Sequence, residues 1–509
     1  MTSLGSRRWW VLGALVVILL AVSLDLTALN VALPTLAAQL DAGTSALQWI
    51  VASYTLVSAT LLIPAGLIGD RYGRKKTLLG GLALFLAGSV LATLVSSPAG
   101  LITARTLMGV GSAAITPLAM SVLLVVFPPE ERPKALAAWT GASFLGLPLG
   151  PIIGGWLLDH FWWGSIFFIN IPVSAVALVL GLVLIPESRS ATAPRPDFAG
   201  LLLSTGGLIA LVYGTIQEED YGWSSPGVWG VMTAGAVALV AFVVWTRRVR
   251  HPLIDLRLFA DRSFTGGLVP ATLMTFAMFG VLFVGPQYFQ AVLGTGPLGS
   301  GVRLLPLIGG LLVASRLSAL LVKRLGARVT IAAGGLVMAG AMVAGATTNA
   351  GSGYGLAAAW LTVAGLGMGL MLPASMTAAM GALSAERAGV GSAVLMTVRL
   401  VGGAFGAAIL GSLLSAGYRG HVDVAGLPPA AAEAARGGVG GGLAVAGRLH
   451  DPHLLHSARA AFTHGMDLTL LAGAGIMAAA AVLAVILLPR RGATDPLGNG
   501  QSTHEYASA

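Results

Sequence analysis

The chain has 509 residues, 56% hydrophobic and only 10% charged, with a mean hydropathy of +0.85. Soluble domains carry about 25% charged residues, so this composition excludes a soluble globular protein and describes one that crosses a membrane many times. The absence of cysteine excludes disulfides, thiolate chemistry and cysteine metal sites.

A spanning helix needs about 20 apolar residues. Taken in chain order, six spans are predicted at 9–33, 47–69, 77–97, 100–126, 135–158 and 164–186, forming a first six-helix bundle within 1–190. Residues 1–30 imitate a signal peptide, with Arg7 and Arg8 ahead of an apolar run. That run continues without a small-residue cleavage site, which predicts an uncleaved first span. A polar linker leads to two further spans, 198–217 and 227–246, which with their basic flanks form an insert over 191–262. A second six-helix bundle is predicted over 263–490. Within it, 329–385 holds two helices with a turn near 347–355, and the spans at 299–322 and 389–416 are interrupted by arginines. The total is fourteen helices in an all-α polytopic fold. The long connection 417–461, with His421, His450, His453 and His456, has no specific ligand spacing and reads as a solvated loop with one short surface helix. The polar tail 491–509 reads as disordered.

Charge follows this map. Of 29 Lys and Arg, only Arg419, Arg436, Arg448 and Arg459 fall on outward segments and four more lie within spans; the remaining about 21 are cytoplasmic, so both termini are predicted in the cytoplasm. The net charge of +9 therefore reflects topology rather than nucleic-acid binding. Glycine, 70 of 509 residues against a usual ~7%, predicts close helix packing. The two halves echo each other weakly: Gly66, Asp70, Arg71, Gly73, Arg74, Lys75 and Lys76 follow the second span, and Lys323, Arg324, Gly326 and Arg328 follow its later counterpart. Internal repeats of this kind build many secondary transporters.

Asp25 is the most informative residue. It is the lone acid of its span, ~25 Å along the helix from Arg8 at 1.5 Å per residue. An acid within a bilayer costs roughly 2.5–3.5 kcal/mol, which marks it as a proton- or cation-handling group. Arg105 is the lone base of the fourth span and carries two readings: a partner in proton transfer, or a side chain that snorkels to the nearby helix end. In the fifth span Gly146, Gly150 and Gly154 make a flat face at i, i+4 and i+8, Pro151 bends the helix and frees a backbone carbonyl, and Gly155 completes a Gly-Gly pair. Tyr288 and Gln290, with Gln287, give a polar-aromatic edge suited to an adaptable cavity or to interfacial anchoring. Asp467 reads as a helix-start carboxylate, Glu218, Glu219 and Asp220 as a membrane boundary or as attracting a cationic ligand, and Arg303 and Arg316 as snorkelling or packed on carbonyls.

These motifs resemble those of the major facilitator superfamily. The 66–76 stretch is similar to its signature loop, Gly-x-x-x-Asp-Arg-x-Gly-Arg-Lys. Arg105, followed by Gly109 and Gly111, is similar to its fourth-span motif, with Met108 where the family often has Gln. The 146–155 stretch is similar to the fifth-span motif of its exporters. Leu24, Asp25, Thr27, Asn30, Ala32, Leu33 and Pro34 resemble the first span of the fourteen-span drug:proton antiporters, with Trp49 and Tyr54 following where their second span begins. Arg399, ahead of Gly402 and Gly403, resembles their thirteenth span. The resemblance implies alternating access between two bundles. It assigns proton coupling to Asp25 and Arg105 and a cytoplasmic gate to Gly66, Asp70, Arg71, Gly73 and Arg74; the candidates for a substrate cavity are Asp25, Asn30, Trp49, Tyr54 and Arg399 from these motifs, with Tyr288 and Gln290 from their own polar-aromatic edge. It implies proton-driven export of lipophilic, often cationic, drugs or antibiotics, by a monomer in a bacterial cytoplasmic membrane. The proton gradient serves in place of a cofactor; no metal or nucleic acid takes part, and no nucleotide-binding motif appears. An excess of Arg over Lys, 25 to 4, hints at a high-GC genome. A nutrient importer or facilitator of the same fold, and a sensor or scaffold without transport, remain open alternatives.

Overall fold

The computed structural model describes residues 4–128, 130–189, 197–222, 224–249, 252–381, 383 and 385–489. The tail 491–509, the linker stretch 190–196 and the side chains of Glu218, Glu219 and Asp220 lie outside the described residues. In chain order the helices are α1 (Leu4–Gln39), α2 (Thr44–Tyr72), α3 (Arg74–Leu94), α4 (Pro98–Val126), α5 (Arg132–His160), α6 (Ser165–Phe168), α7 (Asn170–Leu184), α8 (Phe198–Tyr221), α9 (Pro226–Thr246), α10 (Arg262–Gln287), α11 (Pro297–Arg303), α12 (Leu305–Leu325), α13 (Ala327–Gly345), α14 (Tyr354–Gly381), α15 (Ala385–His421), α16 (Pro429–Arg436), α17 (Val439–Leu449) and α18 (Pro452–Leu487). No strand occurs among the described residues. Among them, thirteen helical stretches are long and apolar enough to cross a membrane, and the 29-residue α5 packs along α1 beside them. The protein is a multi-pass membrane protein.

Prolines break helices where the apolar pattern runs on. The predicted sixth span is two helices, α6 and α7, because Pro172 has no N–H to offer the Phe168 carbonyl. Pro306 likewise separates α11 from α12. After Pro286, the end of α10 widens into a π-helical turn over Tyr288–Val292. Tight turns use glycine: Gly73 (φ 129°) joins α2 to α3 and Gly326 (φ 86°) joins α12 to α13, the same device at matching places in the two halves. The connection after α15 differs from its expectation. α15 continues to His421 and α18 starts at Pro452, leaving a shorter link that holds two helices, not one. α17 buries Val439, Gly442, Val445 and Ala446, a helical spacing of small apolar residues that packs against α18 and α1.

Within the first half α1 packs on α5 and α7, α2 on α4, and α3 on α4 and α7; within the second, α10 packs on α15, α18 and α14, α12 on α14, and α13 on α14 and α18. Across the molecule α2 lies along α15, and α5 meets α11. α8 covers the α2–α15 pair, where Ser412 Oγ donates to the Thr215 carbonyl at 3.2 Å, and α9 packs on α8. The ends of the bundle are chemically distinct. Arg8, the 70–76 turn, Arg262, Lys323, Arg324 and Arg328 mark a basic end; the α1–α2, α5–α6 and α13–α14 links and the α16–α17 pair mark the far end.

Candidate functional site

Asp25 of α1 and Arg105 of α4 meet inside the first half. Arg105 Nη1 donates to Asp25 Oδ2 at 2.5 Å, and both side chains are 1% exposed. Arg105 Nε donates to the Ile50 carbonyl at 3.3 Å, and the guanidinium lies 4.2 Å from the centre of the Tyr54 ring. Asn170, the first residue of α7, donates from Nδ2 to Asp25 Oδ1 at 3.1 Å. Burying two ions costs several kcal/mol each, an expense that close pairing, a carbonyl and an aromatic face together offset. Glycines allow this approach. A Cβ at Gly109 would stand 2.8 Å from the Tyr54 carbonyl oxygen, and one at Gly111 2.6 Å from the Phe85 nitrogen, so α4 is held against α2 and α3 with Arg105 turned inward.

The α5 motif divides into two stripes. Gly146, Gly150 and Gly154 face α1, meeting Ser23, Thr27 and Ala28 in order; a Cβ at Gly150 would fall on Thr27 Oγ1. Thr27 Oγ1 also donates to the Gly146 carbonyl at 3.1 Å. Pro151 and Gly155 lie on the neighbouring face and meet the other half. The Pro151 carbonyl abuts Gly301 of α11, and a Cβ at Gly155 would stand 2.6 Å from Leu298 Cα. At the end of α5, Asp159 Oδ2 accepts from the Leu298 N–H at 3.2 Å. Further far-end ties join the halves. Gln290 Nε2 donates to the Val31 carbonyl at 2.8 Å, and the Thr44 N–H to the Gly437 carbonyl at 3.3 Å.

At the basic end Arg74 Nε donates to Asp70 Oδ1 at 2.7 Å. Gly66 and Gly69 lie against Pro117 and Leu118 of α4, and Gly73 lies against the Glu187 carboxylate. Glu187 Oε1 accepts from the backbone N–H groups of Lys75 and Ser188, both at 3.1 Å. The Arg71 guanidinium sits 5.8 Å from the Tyr72 ring centre.

The cavity candidates are spread over separate places. Asp25 and Tyr54 belong to the ion-pair cluster, whereas Trp49 packs on Tyr213 of α8 with ring centroids 5.8 Å apart. Asn30 Nδ2 donates to its own helix at Leu26, 3.2 Å. Tyr288 is buried and points its hydroxyl at the Ser352 carbonyl, 3.5 Å away. Arg399 lies among α10, α14 and α15, its Nε 3.3 Å from Thr275 Oγ1 and its Nη1 3.8 Å from Met376 Sδ. Among the described residues no group of three or more His, Asp or Glu is placed to hold a metal ion. Two contributors were not singled out from sequence, Asn170 and Glu187. Asn170 carried a usable signal as the lone amide in the apolar run after Ser165.

A family model described as the Major Facilitator Superfamily matches residues 15–407. The chain is 35% identical over 415 residues to a tetracenomycin C resistance and export protein of Streptomyces glaucescens, covering 81% of this chain and 77% of that one. It is 33% identical over 491 residues to a multidrug efflux pump of Mycolicibacterium smegmatis, covering 94% and 96%. Among solved structures, a bacterial homologue of the human lysosomal transporter Spinster, inward-facing and unoccupied, superposes with a TM-score of 0.68 at 18% identity, covering 95% of this chain and 97% of that one.

Proposed function

The chain belongs to the Major Facilitator Superfamily, transporters rather than enzymes, and from that premise we propose that it is a proton-coupled antiporter that exports lipophilic drugs or antibiotics. The observation that carries this reading is the buried Asp25–Arg105 pair, a titratable acid and its counter-charge enclosed in one half of a two-part bundle. Ion pairing and protonation of Asp25 are alternatives, so a proton arriving there releases Arg105 and changes how α1 and α4 hold together. The export direction is supported by the relatives named for resistance and efflux.

On this reading the protein works as a monomer with fourteen spans in a bacterial cytoplasmic membrane, both termini in the cytoplasm. The basic end is cytoplasmic, as positive-inside orientation requires. The structure is then closed outward, and Asp70, Arg71 and Arg74 stand at the cytoplasmic mouth. The proton gradient is the energy source, with no cofactor, and Asp25 and Arg105 carry the coupling. Inverted vesicles with an imposed pH gradient, assayed against a panel of dyes and antibiotics, test the reading. Gradient-dependent accumulation of at least one compound, abolished by collapsing the gradient, is expected; transport indifferent to the gradient overturns proton coupling.

A further inference from the structure

Asp25 sits at the floor of a cleft that does not belong to the seam between the halves. The cleft is narrow, with about 10 Å³ open to the centre of a water-sized sphere, room for about one water, and lies between α1, α5 and the α6–α7 segment. It is lined by Asp25, Gly150 and Asn170 nearer the middle of the bundle and by Gly154, Leu157 and Ile166 nearer the far end. From Gly150 to Leu157 is seven residues, so the cleft rises ~10 Å along α5. It rises toward the far end, where α5 stops at His160 and α6 starts at Ser165. Its α5 wall is the stripe that faces α1, whereas the neighbouring stripe of Pro151 and Gly155 is closed against α11.

We propose that this cleft is a proton-access site through which Asp25 exchanges protons with the far side while the seam is closed, and that Asn170 is the positioning residue at its floor. The proposal rests on the reading of Asp25 as the proton carrier. The groups facing Asp25 fit such a site. Arg105 from α4 occupies Oδ2 with Tyr54 of α2 behind it, α5 presents Gly146 and Gly150, and among the described polar groups of α5, α6 and α7 Asn170 reaches Oδ1. A carboxamide holds two donors and an acceptor, so Asn170 serves both states of the acid. It donates to the carboxylate now and accepts from the O–H once a proton is bound. In that step an O–H bond of hydronium breaks, one forms on Oδ1, and water is left in the cleft. The cleft is otherwise apolar and narrow, which suits water and a proton and excludes a drug-sized molecule.

The test uses the full chain in lipid nanodiscs and needs no known substrate. An infrared pH titration identifies the carboxylic C=O band of protonated Asp25 as the band missing in Asp25→Asn. In wild type that band is expected to exchange promptly with heavy water. Leu157→Trp, at the cleft mouth, is expected to keep the band but slow its exchange at least tenfold; wild-type exchange overturns the access route. Asn170→Leu is expected to move the band to higher frequency, as a carboxylic C=O does on losing a hydrogen bond; an unmoved band overturns the positioning role. Should Leu157→Trp fail to fold, Leu157→Cys, the only thiol in the chain, replaces it. A cationic methanethiosulfonate added at the far side of vesicles should label it and slow exchange of the Asp25 band, and no labelling overturns the proposal. A titration without any Asp25-dependent band instead defeats the carrier reading itself, an outcome distinct from loss of the cleft.

Discussion

Arg105 reaches Asp25 across 80 positions of sequence, and the 2.5 Å contact joins the fourth helix to the first through a pair that is almost wholly buried. The same guanidinium lies on the Tyr54 ring and bonds the Ile50 carbonyl, so one side chain ties α1, α2 and α4 together. Any event that neutralises Asp25 therefore acts on three helices at once. That coupling is the physical content of the transport reading.

Asp25→Asn retains shape and hydrogen-bonding capacity but cannot titrate. The protein should reach the membrane folded, and gradient-driven efflux should fall to the passive level while downhill exchange persists. Concentrative efflux at the wild-type level in vesicles carrying this variant removes Asp25 from the coupling mechanism.

Arg105→Ala leaves an acid buried without its counter-charge. Breaking a buried pair in this way costs about 3–5 kcal/mol, so the melting temperature of the purified protein should fall markedly and transport should be lost. Arg105→Lys keeps the charge but loses the second donor to Ile50, and should recover part of the thermal stability. A melting temperature of Arg105→Ala equal to wild type indicates a side chain that merely snorkels.

How much of this was legible in the sequence depended on whether a feature was local. Asp25 stood out because a single acid interrupts a long apolar run, and Gly73 because an acid and several bases crowd one short turn. Communication between Arg105 and Asp25 across the first bundle follows from the resemblance, which makes spans one and four neighbours, but nothing local to Arg105 separates pairing from snorkelling. Asn170 was passed over because an amide weighs little in a hydropathy pattern, and its meaning depends on which helix packs opposite. The breaks at Pro172 and Pro306 were hidden by unbroken apolarity around them. The second outer helix, α17, was missed because glycine-rich runs look like loops until a packing partner supplies the buried face.

Asp70→Asn removes the carboxylate that holds Arg74 across the α2–α3 turn. Turnover should slow, and cysteines introduced near Gly66 and Leu118 should label more readily from the cytoplasmic side, because the turn is no longer pinned. The cysteine-free background makes each such label specific. Labelling and turnover both unchanged would remove the turn from the gate.

Gly301→Val probes the far-end closure. A side chain at 301 runs into the Pro151 carbonyl, so it penalises the present arrangement without touching Asp25, Arg105 or the cleft. Overpacking of this kind costs typically 1–3 kcal/mol. If the opposite arrangement is spared, that penalty shifts the balance between the two states about 5- to 150-fold toward opening at the far end. A cysteine placed at Leu298 should then label from outside at a rate raised within that range, and gradient-driven efflux should fall because the outward-closed state is rarely reached. Melting temperature separates this from simple damage. A conformational shift changes labelling with a modest loss of stability, whereas a misfolded protein loses both the cooperative melt and the Asp25-dependent infrared band. Labelling at Leu298 as slow as in wild type shows that Pro151 and Gly301 are packed there for stability alone and that the α5–α11 seam is not the far-end gate.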